Sequence, residues 1–293
     1  MDQELRQLLN KLESLVDDLR VFVPRTEAID WTHTFAAKWR YHETYSTFHP
    51  IKNLEKYDLD DLLEIDRHKT TLINNTELFC RELPANNALL WGARGTGKSS
   101  LIHAILQKFG DRGLRLVEVE KNFLTEIGVL AEILGTLPYK FVIFCDDLSF
   151  DAFDFSYKDL KSALEGSVVT ATTNILLYVT SNRRHLITEL HRDNETPGTE
   201  DLHEAEAIEE KISLSDRFGL WLAFHPFDQE QYLRVVNHWI QKLASQYQLT
   251  SDMTEETRKH ALQWALNRGV RSGRTAAHFA QHWIGKKLLE QTE

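Results

Sequence analysis

Cysteine is nearly missing from this chain: Cys80 and Cys145 are the only two among 293 residues. Two cysteines cannot build a disulfide framework, so a reducing compartment is expected, with the cytoplasm as the location. Cys145 ends an apolar run and reads as a small buried hydrophobe. Long hydrophobic runs are missing as well. No stretch approaches the roughly 18 apolar residues of a membrane span. The opening MDQELRQLL is acidic and helical rather than a signal peptide. Positive charge is in deficit, with a formal net charge of −10. That excludes a global basic field for drawing nucleic acid and leaves only local grooves. Internal repeats and low-complexity tracts do not occur, which excludes repeat architectures. What remains is an ordinary water-soluble composition, 27% charged and 42% hydrophobic, on a chain long enough for one large or two smaller domains.

The most informative stretch is Gly92 to Ser99, GARGTGKS. It satisfies the phosphate-loop pattern G-x-x-x-x-G-K-[ST] in full, and its context fits. Ala88 to Trp91 is a short apolar run suited to a buried strand. Ser100 to Phe109 carries Leu101, Ile102, Ile105, Leu106 and Phe109 at helical spacing. Strand, glycine loop and helix together turn the string into a mechanism. Gly92, Gly95 and Gly97 let the backbone approach an anion, and the amides of Ala93, Arg94, Thr96 and their neighbours form a concave anion site. The following helix adds the positive end of its dipole. Lys98 is expected to reach the β- and γ-phosphates, Ser99 to place its hydroxyl on Mg²⁺, and Ser100 to complete the cradle. The cofactors implied are ATP and Mg²⁺. The guanine-reading motif Asn-Lys-x-Asp does not occur, which sets GTPases aside.

The chain divides into four stretches. In residues 1–23 leucines recur at Leu5, Leu8, Leu12, Leu15 and Leu19, an amphipathic helix with near-heptad spacing. It either packs on its own domain or serves self-association or a partner. Residues 25–58 are aromatic-rich and carry no readable motif, so 1–58 is taken as an N-terminal helical extension. Residues 59–225 alternate strands with helices. Strands are expected at 88–91, 114–119, 141–145, 174–179 and 220–224, with helices around 123–134 and 157–164. The fold class is therefore α/β, a three-layer α/β/α core around a parallel sheet. Residues 226–293 show helical spacing only and form a C-terminal helical lid domain.

Further constellations follow the phosphate loop. The strand 141–145 runs into Asp146-Asp147, and acids at the carboxyl end of a buried strand lie where open sheets hold their ligands. Asp146 is expected to hold Mg²⁺ through its waters, and Asp147 to orient or deprotonate an attacking water. Thr180-Ser181-Asn182 ends the next strand and places Asn182 near the γ-phosphate. Arg217 lies in LSDRFG before the last strand. Arg271 and Arg274 lie in GVRSGRT at the start of a lid helix.

The order of these five segments resembles the AAA+ ATPases over about residues 59–293. The resemblance implies that GARGTGKS is the Walker A loop, FVIFCDD the Walker B strand and YVTSN the sensor 1 strand. It implies that Arg217 is an arginine finger acting on a neighbouring subunit's nucleotide. It implies that Arg274 is the sensor 2 residue, with Arg271 as second choice. Residues 60–66, DDLLEID, resemble the segment that packs on adenine, which gives Ile65 a nucleotide-binding role. A narrower match exists: PANNALLWGARGTGKSS, FCDDLSF, TSNRRHL and EEKISLSDRFGLWL look like a bacterial AAA+ family carried as a domain of unknown function.

Two departures stand out. The superfamily usually places Glu where this chain has Asp147. Asp is one methylene shorter, about 1.5 Å on an unchanged backbone, and a misplacement of that order costs roughly 100-fold in rate. Glu64 stands where Gly is common. Residues 189–211 form an acidic insertion, read as an exposed loop or as an interface loop for a partner. His185, His191 and His203 lack tight metal-ligand spacing and read as surface histidines. The function expected is an ATPase that works as a homo-oligomer, binds ATP and ADP, and remodels an unidentified protein. The alternatives are an ATP-dependent switch or scaffold with little turnover, and a helicase-loader-like remodeller of nucleic acid, which the acidic total disfavours. No membrane association is expected.

Overall fold

A computed structural model of the chain describes residues 29–42, 45–150, 173–183, 216–250 and 252–292, with isolated positions 11, 160, 161 and 164. Among the described residues seven strands form one sheet: β1 (Ala36–His42), β2 (Tyr45–Pro50), β3 (Ala88–Gly92), β4 (Leu114–Val119), β5 (Lys140–Cys145), β6 (Ile175–Ser181) and β7 (Leu220–Phe224). Their order is β2-β1-β4-β5-β6-β3-β7. Every neighbouring pair is parallel except β1 with β2. Six helices accompany it among the described residues: α1 (Asp66–Cys80), α2 (Lys98–Phe109), α3 (Ile127–Gly135), α4 (Gln229–Gln246), α5 (Glu255–Arg268) and α6 (Gly273–Thr292).

Alternation along the strands creates the layers. In β5, Val142 and Phe144 enter one core with Leu72 and Phe79 of α1 and with Leu101 and Ile105 of α2. Phe141, Ile143 and Cys145 enter the opposite core with Leu130 and Leu134 of α3. A strand covered on both faces must be apolar at every position, which is why KFVIFC reads as a continuous run. Phe109 is fully buried in the first core, and truncating such a phenylalanine to Ala costs about 3–5 kcal/mol.

The five strands of the core and α2 lie where the sequence places them. The helix expected at 123–134 starts as a 3₁₀ segment, Lys121–Glu126, and becomes α-helical at Ile127. The stretch 1–58 differs from the expected helical extension. Its leucine-rich part, 1–23, falls outside the described residues apart from Lys11. Its described part is β-structure: β1 and β2 form a hairpin that joins the sheet beside β4, so the boundary drawn at residue 58 cuts through the sheet. Arg115 explains the attachment. Its side chain is buried in β4 and donates from Nε to the Trp31 carbonyl at 2.6 Å. It also donates from Nη1 to the carbonyls of Gly110 and Leu114, each at 2.8 Å. The guanidinium lies 4.7 Å from the Phe35 ring and 4.5 Å from the Tyr139 ring. One buried cation thus fixes the chain that leads into β1, through carbonyls and aromatic faces. The helix expected at 157–164 lies almost wholly outside the described residues, where Leu160, Lys161 and Leu164 are helical. The insertion 189–211 and His185, His191 and His203 also lie outside them.

The lid has clear start and stop signals. Asp228 and Gln231 exchange hydrogen bonds in a capping box at α4, of 2.8 and 2.9 Å. Thr254 caps α5 by accepting from the Thr257 N–H at 3.2 Å. That helix ends at Gly269 in the left-handed region, φ 68°. α4 packs along α6, and Tyr232, Val236, Phe279 and Ile284 continue the first core from sheet to lid. No helix among the described residues is long and apolar enough to cross a membrane.

Candidate functional site

The loop after β3 is shaped by contacts that only glycine tolerates. Gly92 has φ 128°, and a Cβ there would stand 2.0 Å from the Phe224 carbonyl oxygen. That oxygen accepts the Ala93 N–H at 2.9 Å, which moors the loop to β7. Gly95 has φ 75°, and a Cβ there would meet Ser272 Oγ at 2.9 Å and Arg274 Cβ at 3.0 Å. The Arg274 N–H donates to the Gly95 carbonyl at 3.1 Å, so the start of α6 docks directly on the loop. Gly92 and Ala93 form the base of this loop. Arg94 to Ser100 line the cleft above it.

Lys98 opens α2 and its ammonium is folded back into the loop. Nζ donates to the carbonyls of Gly92 and Ala93, each at 2.8 Å, and to Asn182 Oδ1 at 3.2 Å. Its side chain is buried, and its partners are neutral. Burial pushes its pKa down to about 8, against the opposing pull of Asp146 and Asp147. A buried cation beside a glycine loop at the start of a helix is a donor set suited to a phosphate chain.

The carboxyl ends of three adjacent strands supply the rest. Ser99 Oγ donates to Asp146 Oδ1 at 2.6 Å. Thr180, at the end of β6, donates its hydroxyl to the same carboxylate and accepts the Asp147 N–H at 2.9 Å. Asn182 donates from Nδ2 to the Asp147 carboxylate, and the Arg94 guanidinium lies 3.6 Å from it. Asp147 has φ 53°. Asp tolerates this left-handed conformation far better than most residues, so the backbone here suits a short carboxylate.

A cleft of about 910 Å³ opens between these groups and the lid. Phe227, Val235, Trp239 and Arg274 line it from the lid side, and Leu62, Leu63 and Ile65 from the segment before α1. Residues 55–58 form a strap along it. Within the strap, the Tyr57 hydroxyl donates to the Glu55 carboxylate, and the Tyr57 ring stacks on His103 at 5.5 Å. Burial, reinforced by Glu55, pushes Tyr57 up to about 12. His103 is one turn beyond Ser99, and burial lowers its pKa.

The candidate residues separate by position. Ile65, Asp146, Asp147, Asn182 and Arg274 all line the cleft with the loop. Arg271 does not line it. Arg271 borders a second hollow of about 650 Å³ between α5 and the β7–α4 connection, and its carbonyl accepts the Phe227 N–H at 3.1 Å. Arg217 is exposed on the turn before β7 and is not among the lining residues. β7 runs parallel to β3, so Arg217 sits at the opposite sheet edge from the phosphate loop, about 17 Å away along five residues of strand. Sequence reasoning missed Thr180 as the bridge between Asp146 and Asp147, the strap 55–58, and Val235 and Trp239. Their one sequence signal is the i, i+4 spacing of Val235 and Trp239 on α4.

Comparison with known proteins bears on this arrangement. Residues 32–287 match the family described as "Protein of unknown function (DUF815)". Among curated proteins none matches. The fold is similar to that of RuvB from Thermotoga maritima, a Holliday junction branch migration motor. There the TM-score is 0.50 with 18% identity over 78% of this chain, which spans 64% of the RuvB chain. It is also similar to Orc1 from Aeropyrum pernix, solved in complex with DNA. There the TM-score is 0.51 with 14% identity over 80% of this chain and 66% of that one. At such identities the likeness establishes the fold. With a family match over most of its length, the chain belongs to the DUF815 family.

Proposed function

We propose that this protein is an ATPase that binds ATP with Mg²⁺ between core and lid and hydrolyses it in a homo-oligomer to remodel a protein partner. The observation that carries this reading is the convergence of Lys98, Ser99, Asp146, Asp147, Asn182 and Arg274 on one cleft. Loop amides and Lys98 would hold the β- and γ-phosphates. Ser99 and Asp146, already in contact, are the oxygen donors fitted to Mg²⁺, which when bound neutralises phosphate charge. Asp147 orients the attacking water, and Asn182 positions Asp147 while touching Lys98. Arg274 reaches the phosphates from the lid. Arg217, held at the far edge of the sheet, serves the nucleotide of a neighbouring subunit.

The test is ATP hydrolysis against protein concentration, with size followed by light scattering in ATP. A specific rate that rises as oligomers form supports Arg217 in trans, and Arg217→Ala then keeps binding but loses turnover. Turnover that persists in Arg217→Ala removes that assignment. A second reading is favoured by the short carboxylate of Asp147: a nucleotide switch that binds ATP tightly and turns it over slowly. Tight binding without turnover at every concentration selects it. DNA is the ligand of the Orc1 structure, but a formal charge of −10 does not favour that partner here.

A further inference from the structure

Glu64 occupies a strained position. It has φ 66°, a left-handed conformation that suits glycine, yet it carries a full side chain. That side chain is engaged by the lid. Arg234 Nε and Nη2 donate to its two carboxylate oxygens at 2.6 and 3.0 Å, a two-pronged ion pair. One turn further along α4, His238 Nε2 lies 2.9 Å from Asp61 Oδ1. One turn beyond that, Lys242 Nζ donates to the other oxygen of Asp61. Arg234, His238 and Lys242 thus form an i, i+4, i+8 ladder along one face of the helix. The carboxylates they grip are mostly buried, with 17% and 13% of the Glu64 and Asp61 side chains exposed. The same stretch of α4 sends Val235 and Trp239 into the cleft, and the gripped segment sends Leu62, Leu63 and Ile65 into it from the other side.

We propose that Glu64 and Asp61, gripped by the Arg234–His238–Lys242 ladder, are positioning residues. They clasp the lid to the segment before α1 and hold the apolar walls of the cleft together, so that bound nucleotide leaves only when the clasp opens. This rests on the reading of the cleft as an ATP site. The clasp acts through Trp239, Val235 and Ile65 and touches no phosphate. The strained backbone at Glu64 fits this role, because a glycine there would relieve strain but give Arg234 nothing to hold.

The test is release of N-methylanthraniloyl-ATP from the full-length protein by stopped flow, with the melting temperature of each variant measured without nucleotide. Glu64→Gln and Asp61→Asn should each speed release about tenfold, since weakening one partner of a hydrogen-bonded charge pair acts on the off-rate. The exchanged pair Glu64→Arg with Arg234→Glu should return release towards the wild-type rate. Glu64→Gly separates positioning from packing: release should quicken while the melting temperature stays unchanged or rises. A lower melting temperature in these variants with release at the wild-type rate makes the ion pairs structural only and overturns the clasp. If the wild type binds no more probe than Lys98→Ala, the ATP reading itself fails, and the clasp fails with it.

Discussion

The phosphate-loop end of the cleft and its lid end are built differently. At the phosphate end, partners come from the carboxyl ends of adjacent parallel strands. β3, β5 and β6 are in register, with Trp91 opposite Ser181 and Cys145 opposite Val179. Ser99 therefore meets Asp146, and Lys98 meets Asn182, with little freedom left to choose. At the lid end no ladder of backbone hydrogen bonds sets the geometry. There α4 meets the segment before α1 through side chains alone, Arg234 with Glu64 and Lys242 with Asp61, about 170 to 180 residues apart in the chain. A sheet fixes positions to fractions of an ångström because its interior is close-packed. A junction made of partly exposed ion pairs holds a position that salt and substitution can shift. On the function proposed above, the chemistry would sit on the rigid side and control of access on the adjustable one.

The contrast has measurable consequences, taken from the largest downward. Lys98→Ala removes the one buried cation of the phosphate end, and ATP affinity measured by calorimetry should fall about 100- to 1000-fold. The lid-end change Trp239→Ala should cost about tenfold in the same experiment, one layer of apolar contact. Equal losses from the two would contradict the division of labour. Gly92→Ala puts a methyl group into the Phe224 carbonyl. It should destabilise the nucleotide-free protein by about 3 kcal/mol in urea unfolding, through strain at a special backbone position. A loss below about 1 kcal/mol would mean that the β3–β7 mooring yields easily.

Asp147→Glu tests the short carboxylate. Turnover should rise about 10-fold, limited by the poorer tolerance of Glu for φ 53°. A fall in turnover would show that the backbone already places Asp147 correctly and that a longer side chain overshoots. The smallest effect is in pH. Lys98 has its pKa depressed from 10.5 to about 8 by burial, so it is protonated at pH 7 and loses its proton above pH 8. ATP affinity should fall about tenfold between pH 7 and pH 9. The sign for stability is opposite. Between about pH 8 and 10.5 the unfolded chain binds more protons at this lysine, so its contribution to the stability of the nucleotide-free fold rises with pH. Affinity that is flat to pH 9.5 would place the Lys98 ammonium in better contact with charge than its carbonyl partners provide.

The phosphate end could be read directly from the residues. GARGTGKS names its own backbone geometry, and five buried strands announce themselves as apolar runs because both faces are covered. Asp146, Asp147 and Asn182 could be placed because they terminate such runs. The hairpin β1–β2 could not. It is a two-stranded addition at an edge, and its aromatic content suits a helix or a strand equally. Its attachment depends on Arg115, whose partners Trp31, Phe35 and Tyr139 come from two segments distant from it in the chain. The choice between Arg271 and Arg274 also escaped the motif. Three residues apart at the start of a helix, they part company because the Arg274 N–H docks on Gly95 while the Arg271 carbonyl binds Phe227.

Local pattern was therefore enough for β3 to β7, the phosphate loop and the family resemblance, because each depends on periodicity or on residues adjacent in the chain. It was not enough for the place of β1 and β2 in the sheet, for the left-handed backbone that selects Asp147, or for the meeting of Glu64 with Arg234. Those depend on which distant segments come to share a surface, and that is settled only when buried faces, backbone register and the few desolvated charges are satisfied together.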